Sequence, residues 1–230
     1  MKRWVNLLIY FLCVSVVCLS HSVQAQEATI IFIGDSITEA DGTRPPYSQG
    51  QQIVGYQEVF RQHNLKVTSY GVSGATYQQS PAHSGIPSLY DDLVVHHKVQ
   101  LPTNATKIVL LGGTNDIAMG YSTQYSNQPN QTIGALKQII QFLKANFPQA
   151  QFYLCSPPYT TTPSRSPKRM EDLCTSLKKV ASELKLNYID LYHEGPIKAA
   201  NADQLLFDGV HPNQEGHLAM GQYLYEQVTQ

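Results

Sequence analysis

The chain has 230 residues, 42% of them hydrophobic and only 14% charged, with a formal net charge of −1 at neutral pH. That length suits one substantial core, and the composition is too apolar for a disordered chain and too evenly mixed for a coiled coil. A near-neutral balance argues against nucleic acid or an anionic membrane surface as the partner.

In chain order, the first segment reads as a leader. Lys2 and Arg3 form a short basic start, the run from Leu7 to Leu19 is almost wholly apolar, and Val23-Gln24-Ala25 offers a small-residue cleavage site. This predicts a signal peptide over residues 1–25 and a mature domain over 26–230, secreted or periplasmic. No stable membrane insertion is expected after cleavage, because the apolar run is shorter than the roughly 20 residues that cross a bilayer. Cys13 and Cys18 fall in the leader, which leaves Cys155 and Cys174. Export would favour a bridge between them, whereas their apolar surroundings suit buried free thiols, which is the expectation carried forward.

The mature chain alternates short β-branched runs with stretches of helical period, which predicts an α/β domain with a parallel sheet and crossover helices. Strands are expected at Ala28–Ile33, Leu65–Tyr70, Thr106–Leu111, Gln151–Cys155 and Asn187–Leu191, each short and apolar as strands covered on both faces tend to be. Before the fourth strand, Ile133, Leu136, Ile140, Leu143 and Phe147 recur at helical steps; after it, Met170, Leu173, Leu177, Val180 and Leu184 do the same. A last helix should open at Asn213, a good N-cap residue, and bury Leu218, Gly221, Leu224 and Val228.

In such a sheet ligands bind beyond the carboxyl ends of the strands. There the sequence reads Gly34-Asp35-Ser36-Ile37-Thr38, Gly71-Val72-Ser73-Gly74-Ala75-Thr76 and Gly112-Gly113-Thr114-Asn115-Asp116, and the last helix is preceded by Asp208-Gly209-Val210-His211-Pro212-Asn213. Each alone has an ordinary explanation as a cap, a turn or a loop. Together they supply a nucleophile, a base, an orienting acid and hydrogen-bond donors.

A serine hydroxyl is a poor nucleophile at neutral pH and needs a base within hydrogen-bond reach, which makes His211 the partner of Ser36. Asp208, three residues upstream, can reach the other ring nitrogen and fix its tautomer. The Gly-x-Ser-x-Gly elbow of the α/β-hydrolases is absent. The other histidines, His63, His83, His96, His97, His193 and His217, show no ligand spacing backed by cysteine or carboxylate and read as surface or packing residues, with no metal expected.

The four blocks closely resemble those of the SGNH hydrolases, also called the GDSL esterase and lipase family, in order and spacing across almost the whole mature chain. The one departure is Ile37, where the family's name has leucine. The resemblance implies a flavodoxin-like three-layer α/β/α fold with a five-stranded parallel sheet, and a serine esterase working through an acyl-enzyme. It implies Ser36, His211 and Asp208 as catalytic residues. It further implies an oxyanion hole made by the backbone N–H groups of Ser36 and Gly74 and the side-chain amide of Asn115, with no cofactor.

The substrate is expected to be a small-molecule or polysaccharide ester. The segments Glu39–Gln52, Tyr77–Tyr90 and Ile117–Asn130 should rim the site, and they carry Tyr47, Tyr77, Tyr90, Tyr121 and Tyr125 among many Gln, Ser and Asn residues. Such a rim favours short O-acyl groups on carbohydrate, since tyrosine stacks on a sugar face while offering a hydroxyl. A lysophospholipase or thioesterase for longer acyl chains is the alternative, and a non-catalytic carbohydrate-binding protein is the alternative of another class.

Overall fold

The computed structural model of the chain describes residues 29–128 and 130–230. The predicted leader over residues 1–25 and Ala28, at the head of the first expected strand, lie outside the described residues. Five parallel strands form one sheet: β1 (Thr29–Gly34), β2 (Lys66–Gly71), β3 (Ala105–Leu111), β4 (Gln151–Cys155) and β5 (Asn187–Ile189). Their ends fall within about two residues of the expected ones, which is the usual scatter of element boundaries.

The spatial order is β2-β1-β3-β4-β5. The chain leaves β1 for β2 on one side and then returns past β1 to β3, so the direction of winding reverses between β1 and β3. At that reversal the connections leave to opposite faces and open a crevice above the strand ends. The register brings Gly34 level with Gly71 on one side and Leu111 on the other, so the loops after β1, β2 and β3 start side by side.

Helices cover both faces, giving the α/β/α layers expected. Ile31, Ile33, Ile108, Leu110, Phe152 and Leu154 point to one face, where α4 (Thr132–Asn146) and α5 (Pro167–Leu184) lay down the two predicted apolar stripes. The alternate residues Ile30, Phe32, Val109, Leu111, Tyr153 and Cys155 point to the other, under α2 (Gln57–Gln62), the short α6 (Ala202–Leu205) and α7 (Gln214–Thr229). This period-two division is what strands buried on both sides require. Among the described residues no helix is long and apolar enough to cross a membrane.

Two expectations are corrected. Strand β2 is not covered on both faces: it is an edge strand, with Lys66 and Ser69 exposed. In α7 the buried stripe is His217, Met220, Gly221, Leu224 and Val228, while Leu218 is 39% exposed. Leu218 lies one residue, about 100°, round the helix from that stripe. The expectation of free thiols gains a structural reason, because Cys155 packs in the core on one face of the sheet and Cys174 in the core on the other.

Candidate active site

Ser36 opens α1 (Ser36–Glu39), directly after β1. The turn onto this helix is tight. A Cβ at Gly34 would fall 2.4 Å from the Leu111 carbonyl oxygen and 2.2 Å from Thr38 Oγ1, so only glycine lets α1 fold back over the strand end. Asp35 caps the helix, its Oδ1 accepting the Ile37 N–H at 3.0 Å. It is buried; burial pushes its carboxyl up to about 7, against the opposing pull of the Ile37 N–H and the Arg165 guanidinium.

His211 and Asp208 arrive from the far end of the chain. Before α7, Asp208 Oδ1 accepts the backbone N–H groups of Val210 at 3.0 Å and His211 at 2.8 Å, which folds the loop onto its own acid. Asp208 Oδ2 lies 2.7 Å from His211 Nδ1, and His211 Nε2 lies 2.9 Å from Ser36 Oγ. Two anchors hold this loop. The Asn213 side chain accepts the Gly216 N–H at 2.9 Å, as the predicted N-cap should, and the Gln214 amide exchanges two 2.9 Å bonds with the Val54 backbone. Burial alone would raise the Asp208 carboxyl, but the two N–H donors and the imidazole outweigh it and hold it below the usual carboxylate range. The His211 side chain is 18% exposed and that of Asp208 42%, so the pair is reachable from solvent.

Tyr47 forms the wall of this arrangement. Its ring stacks on the His211 imidazole at 3.8 Å between centroids and 8° between planes, and its hydroxyl donates to the Ser36 carbonyl at 3.4 Å.

The donor side comes from β2 and β3. Gly74 sits in the loop after β2 with φ of 75°, a left-handed conformation that glycine adopts without strain. A Cβ there would meet no protein atom within 4 Å, so the demand for glycine is conformational and not a matter of crowding inside the protein. Asn115, on α3 (Thr114–Ala118), gives one Nδ2–H to the Ala75 carbonyl at 3.0 Å and keeps a second. The backbone N–H groups of Ser36 and Gly74 have no acceptor among the described residues. Asp116 locks the two elements together by accepting the Tyr77 and Gln78 N–H groups at 2.9 and 3.0 Å. Burial pushes its carboxyl up to about 6, with those N–H groups pulling the other way.

Beside Ser36 lies a cavity of about 390 Å³, lined by Glu39, Thr43, Arg44, Pro46, Tyr47 and Ser73 among others. Of the three expected rim segments, Glu39–Gln52 therefore borders Ser36. The segment from Gln78 to Gly85 instead lines a separate hollow of about 620 Å³ that contains none of these site residues. The tyrosine expectation is corrected likewise. Tyr77 is fully buried in the core, Tyr90 bonds Gln138, Tyr125 packs with Lys137 and Lys179, and the Tyr121 hydroxyl is buried within reach of the Asp116 charge; Tyr47 is the one that stacks on His211.

His217 is buried between α7 and α2, stacked on Tyr56, and burial lowers its pKa to about 4. His193 does meet cysteine and carboxylate once the chain folds: Cys174, Asp190 and His193 bring possible ligand atoms within 4.8 Å of one another. Spacing along the sequence hid this. Both ring nitrogens are already engaged, Nδ1 by Asp190 and Nε2 by Glu171 at 2.9 Å each, and these carboxylates raise the imidazole's pKa.

Sequence reading passed over three residues of the site. Asp35 and Asp116 each had a signal, an Asp placed to cap a short helix and an Asp beside the donor asparagine. Arg165 lies in the segment after β4, which has no glycine-rich motif to mark it, and donates to both Thr114 and Asn115.

A three-layer α/β/α domain with a serine–histidine–aspartate chain across the β1/β3 crevice is the architecture of an SGNH-type hydrolase. Residues 32–219 match the model of the GDSL-like Lipase/Acylhydrolase family, so the chain belongs to that family and is an ester hydrolase. No curated protein matches in sequence. Among solved structures, a protein described as a GDSL-like lipase from Parabacteroides merdae aligns with TM-score 0.63 and 20% identity, over 89% of this chain and 96% of its own. An active-site mutant of a family two carbohydrate esterase from Clostridium thermocellum aligns with TM-score 0.65 and 17% identity, over 88% of this chain and 63% of its own. A protein described as an arylesterase from Agrobacterium tumefaciens aligns with TM-score 0.61 and 19% identity, over 88% and 98%. At these identities the likeness is one of fold.

Proposed function

We propose that the chain is a serine esterase in which Ser36 is the nucleophile, His211 the general base and Asp208 its orienting acid, acting on short O-acyl esters, above all acetyl esters of carbohydrate. The observation that carries the catalytic reading is the unbroken chain Ser36 Oγ to His211 Nε2 to His211 Nδ1 to Asp208 Oδ2, at 2.9 and 2.7 Å. With Nδ1–H donated to Asp208, Nε2 is the lone-pair nitrogen. It takes the Ser36 proton as Oγ adds to the ester carbon, then returns that proton to the departing alcohol. Water repeats the two steps on the acyl-enzyme and releases the acid.

The oxygen that becomes negative would be met by the free N–H groups of Ser36 and Gly74 and by the second Nδ2–H of Asn115. Donors fixed before the reaction stabilise it without reorganisation. The short-chain reading is supported by the cavity beside Ser36, of about 390 Å³, where a short apolar patch of Ala40, Pro45 and Pro46 lies next to the polar Glu39, Thr43, Arg44 and Ser73. The carbohydrate reading is supported by Tyr47 at the edge of that cavity, and by a fold neighbour that is itself a carbohydrate esterase. Export by cleavage after Ala25 belongs to the same proposal.

The test is catalytic efficiency on p-nitrophenyl esters of increasing chain length, followed by acetate release from acetylated sugars. Acetyl or propionyl esters should be best. Efficiency that climbs to octanoyl, with no acetate released from any sugar, would replace this reading by the lysophospholipase or thioesterase one. Turnover of no ester at all would leave the non-catalytic carbohydrate-binding reading.

A further inference from the structure

Asn115 is not held by its own helix alone. Arg165, between β4 and α5, donates through Nη2 to Asn115 Oδ1 at 3.3 Å and through Nε to Thr114 Oγ1 at 2.9 Å, so one guanidinium spans two successive residues at the start of α3. Its Nη1 donates to Ser164 Oγ at 3.2 Å, within its own segment. From the opposite side, the same amide gives one N–H to the Ala75 carbonyl at 3.0 Å. An amide pinned at its oxygen and at one N–H has a single orientation left, and its second N–H becomes a fixed donor. The segment also reaches the acid–base loop, since the Thr161 N–H and the Thr160 hydroxyl both donate to the Gly209 carbonyl, at 2.9 and 2.6 Å. One stretch of chain thus braces both halves of the machinery.

We propose that Arg165 is a positioning residue of the oxyanion hole, holding the Asn115 amide by its oxygen so that Nδ2–H meets the developing negative charge. It acts through Asn115 and does not itself touch the acyl group. The inference rests on the serine-esterase reading above. Its physical basis is that a donor stabilises a transition state in proportion to how fully it is aligned beforehand, and that a planar fork aligned to two acceptors cannot be replaced by a point charge.

The experiment measures kcat and KM on p-nitrophenyl acetate for Arg165→Met, which keeps the aliphatic stem, Arg165→Lys, Asn115→Ala, and the Asn115→Ala/Arg165→Met double variant. Arg165→Met should lower kcat by about 10- to 100-fold with KM changed by no more than about 3-fold, because an interaction made only in the transition state is weakened. Arg165→Lys should recover little, since one ammonium cannot serve both acceptors in the same way. In the Asn115→Ala background the arginine change should add less than about 2-fold, because nothing remains for it to position. Losses that multiply in the double variant, a loss confined to KM, or full rescue by lysine would each overturn the proposal. Ser36→Ala separates the two levels: if it stays active, the serine-esterase reading falls, whereas loss of activity in Ser36→Ala with multiplicative Arg165 and Asn115 effects sinks only the positioning role.

Discussion

The His211 imidazole has a partner at each nitrogen, but its plane is set by Tyr47. A ring stacked at 3.8 Å and 8° restricts rotation about the Cβ–Cγ bond and shields one face from water. The Tyr47 hydroxyl adds little, because its contact with the Ser36 carbonyl is long at 3.4 Å. Tyr47→Phe should therefore keep kcat within about 3-fold of the parent, while Tyr47→Ala, which removes the wall, should lower it about 10-fold or more. Equal losses in the two variants would mean that the hydroxyl matters and the stacking does not. For Ser36→Ala and His211→Ala, each single loss should leave nearly no activity and the double variant should be little worse, since nucleophile and base act as one unit. Multiplicative losses on p-nitrophenyl acetate would contradict that coupling.

The five proposed catalytic and oxyanion residues were legible at this scale because each sits in a short polar, glycine-rich run at a strand end or before a helix. Tyr47 was named, but among four other tyrosines, three of which, Tyr77, Tyr90 and Tyr125, the fold sends elsewhere. Tyr77 shows why: its backbone N–H is tied to the buried Asp116 carboxylate, which draws the residue inward, and no pattern of residue types announces a bond across 39 positions. Arg165 stayed hidden because its partners lie 50 and 51 positions away.

Among the elements, the two ends of α7 tell different stories. Its start was predictable from Pro212-Asn213, and the cap forms; its buried face was not, because leucine at 218 outweighs histidine at 217 in any reading by hydrophobicity. What decides the phase is packing against α2, where His217 stacks on Tyr56. The cap is tested by Asn213→Ala. It loses the acceptor for the Gly216 N–H and the donor to the Gln204 carbonyl, so the fold should lose about 1–2 kcal/mol and melt about 2–5 °C lower. An unchanged melting temperature would mean that the Gln214 bonds to Val54 hold the helix start without it. The sheet supplies a second test at this scale. With β4 and α5 placing Cys155 and Cys174 on opposite sides of the strands, denatured, unreduced mature protein should titrate two free thiols, and a count of zero would contradict the packing.

For the molecule as a whole, buried ionisable groups set opposing trends in stability with pH. His217 titrates at about 4 in the folded chain, below its ordinary 6.5, because burial first and the nearby His211 second disfavour its charged form. Between those values the unfolded chain binds a proton that the native one refuses, so this group makes stability rise with pH, and the benefit is lost as pH falls from 6.5 through 4. Asp35 has the opposite sign. Its folded pKa of about 7 lies above its ordinary 3.8, so its contribution is fully present below 3.8 and is lost as pH rises through 7; Asp116, at about 6, acts in the same direction. The parent should therefore show a shallow dependence between pH 4.5 and 7, with terms of both signs partly cancelling. Removing one term should tilt the curve. His217→Leu leaves the aspartates unopposed, so its melting temperature should fall, relative to the parent's, as pH rises across that window. Asp35→Asn keeps a side-chain oxygen for the Ile37 N–H but cannot ionise, so its melting temperature should rise with pH relative to the parent's. The comparison uses slopes, and a uniform loss of stability in either variant leaves it intact. Melting curves for the three proteins at half-unit pH steps decide the matter: parallel dependences would mean that neither group changes its proton binding on folding, and tilts of the same sign would overturn the opposition between them.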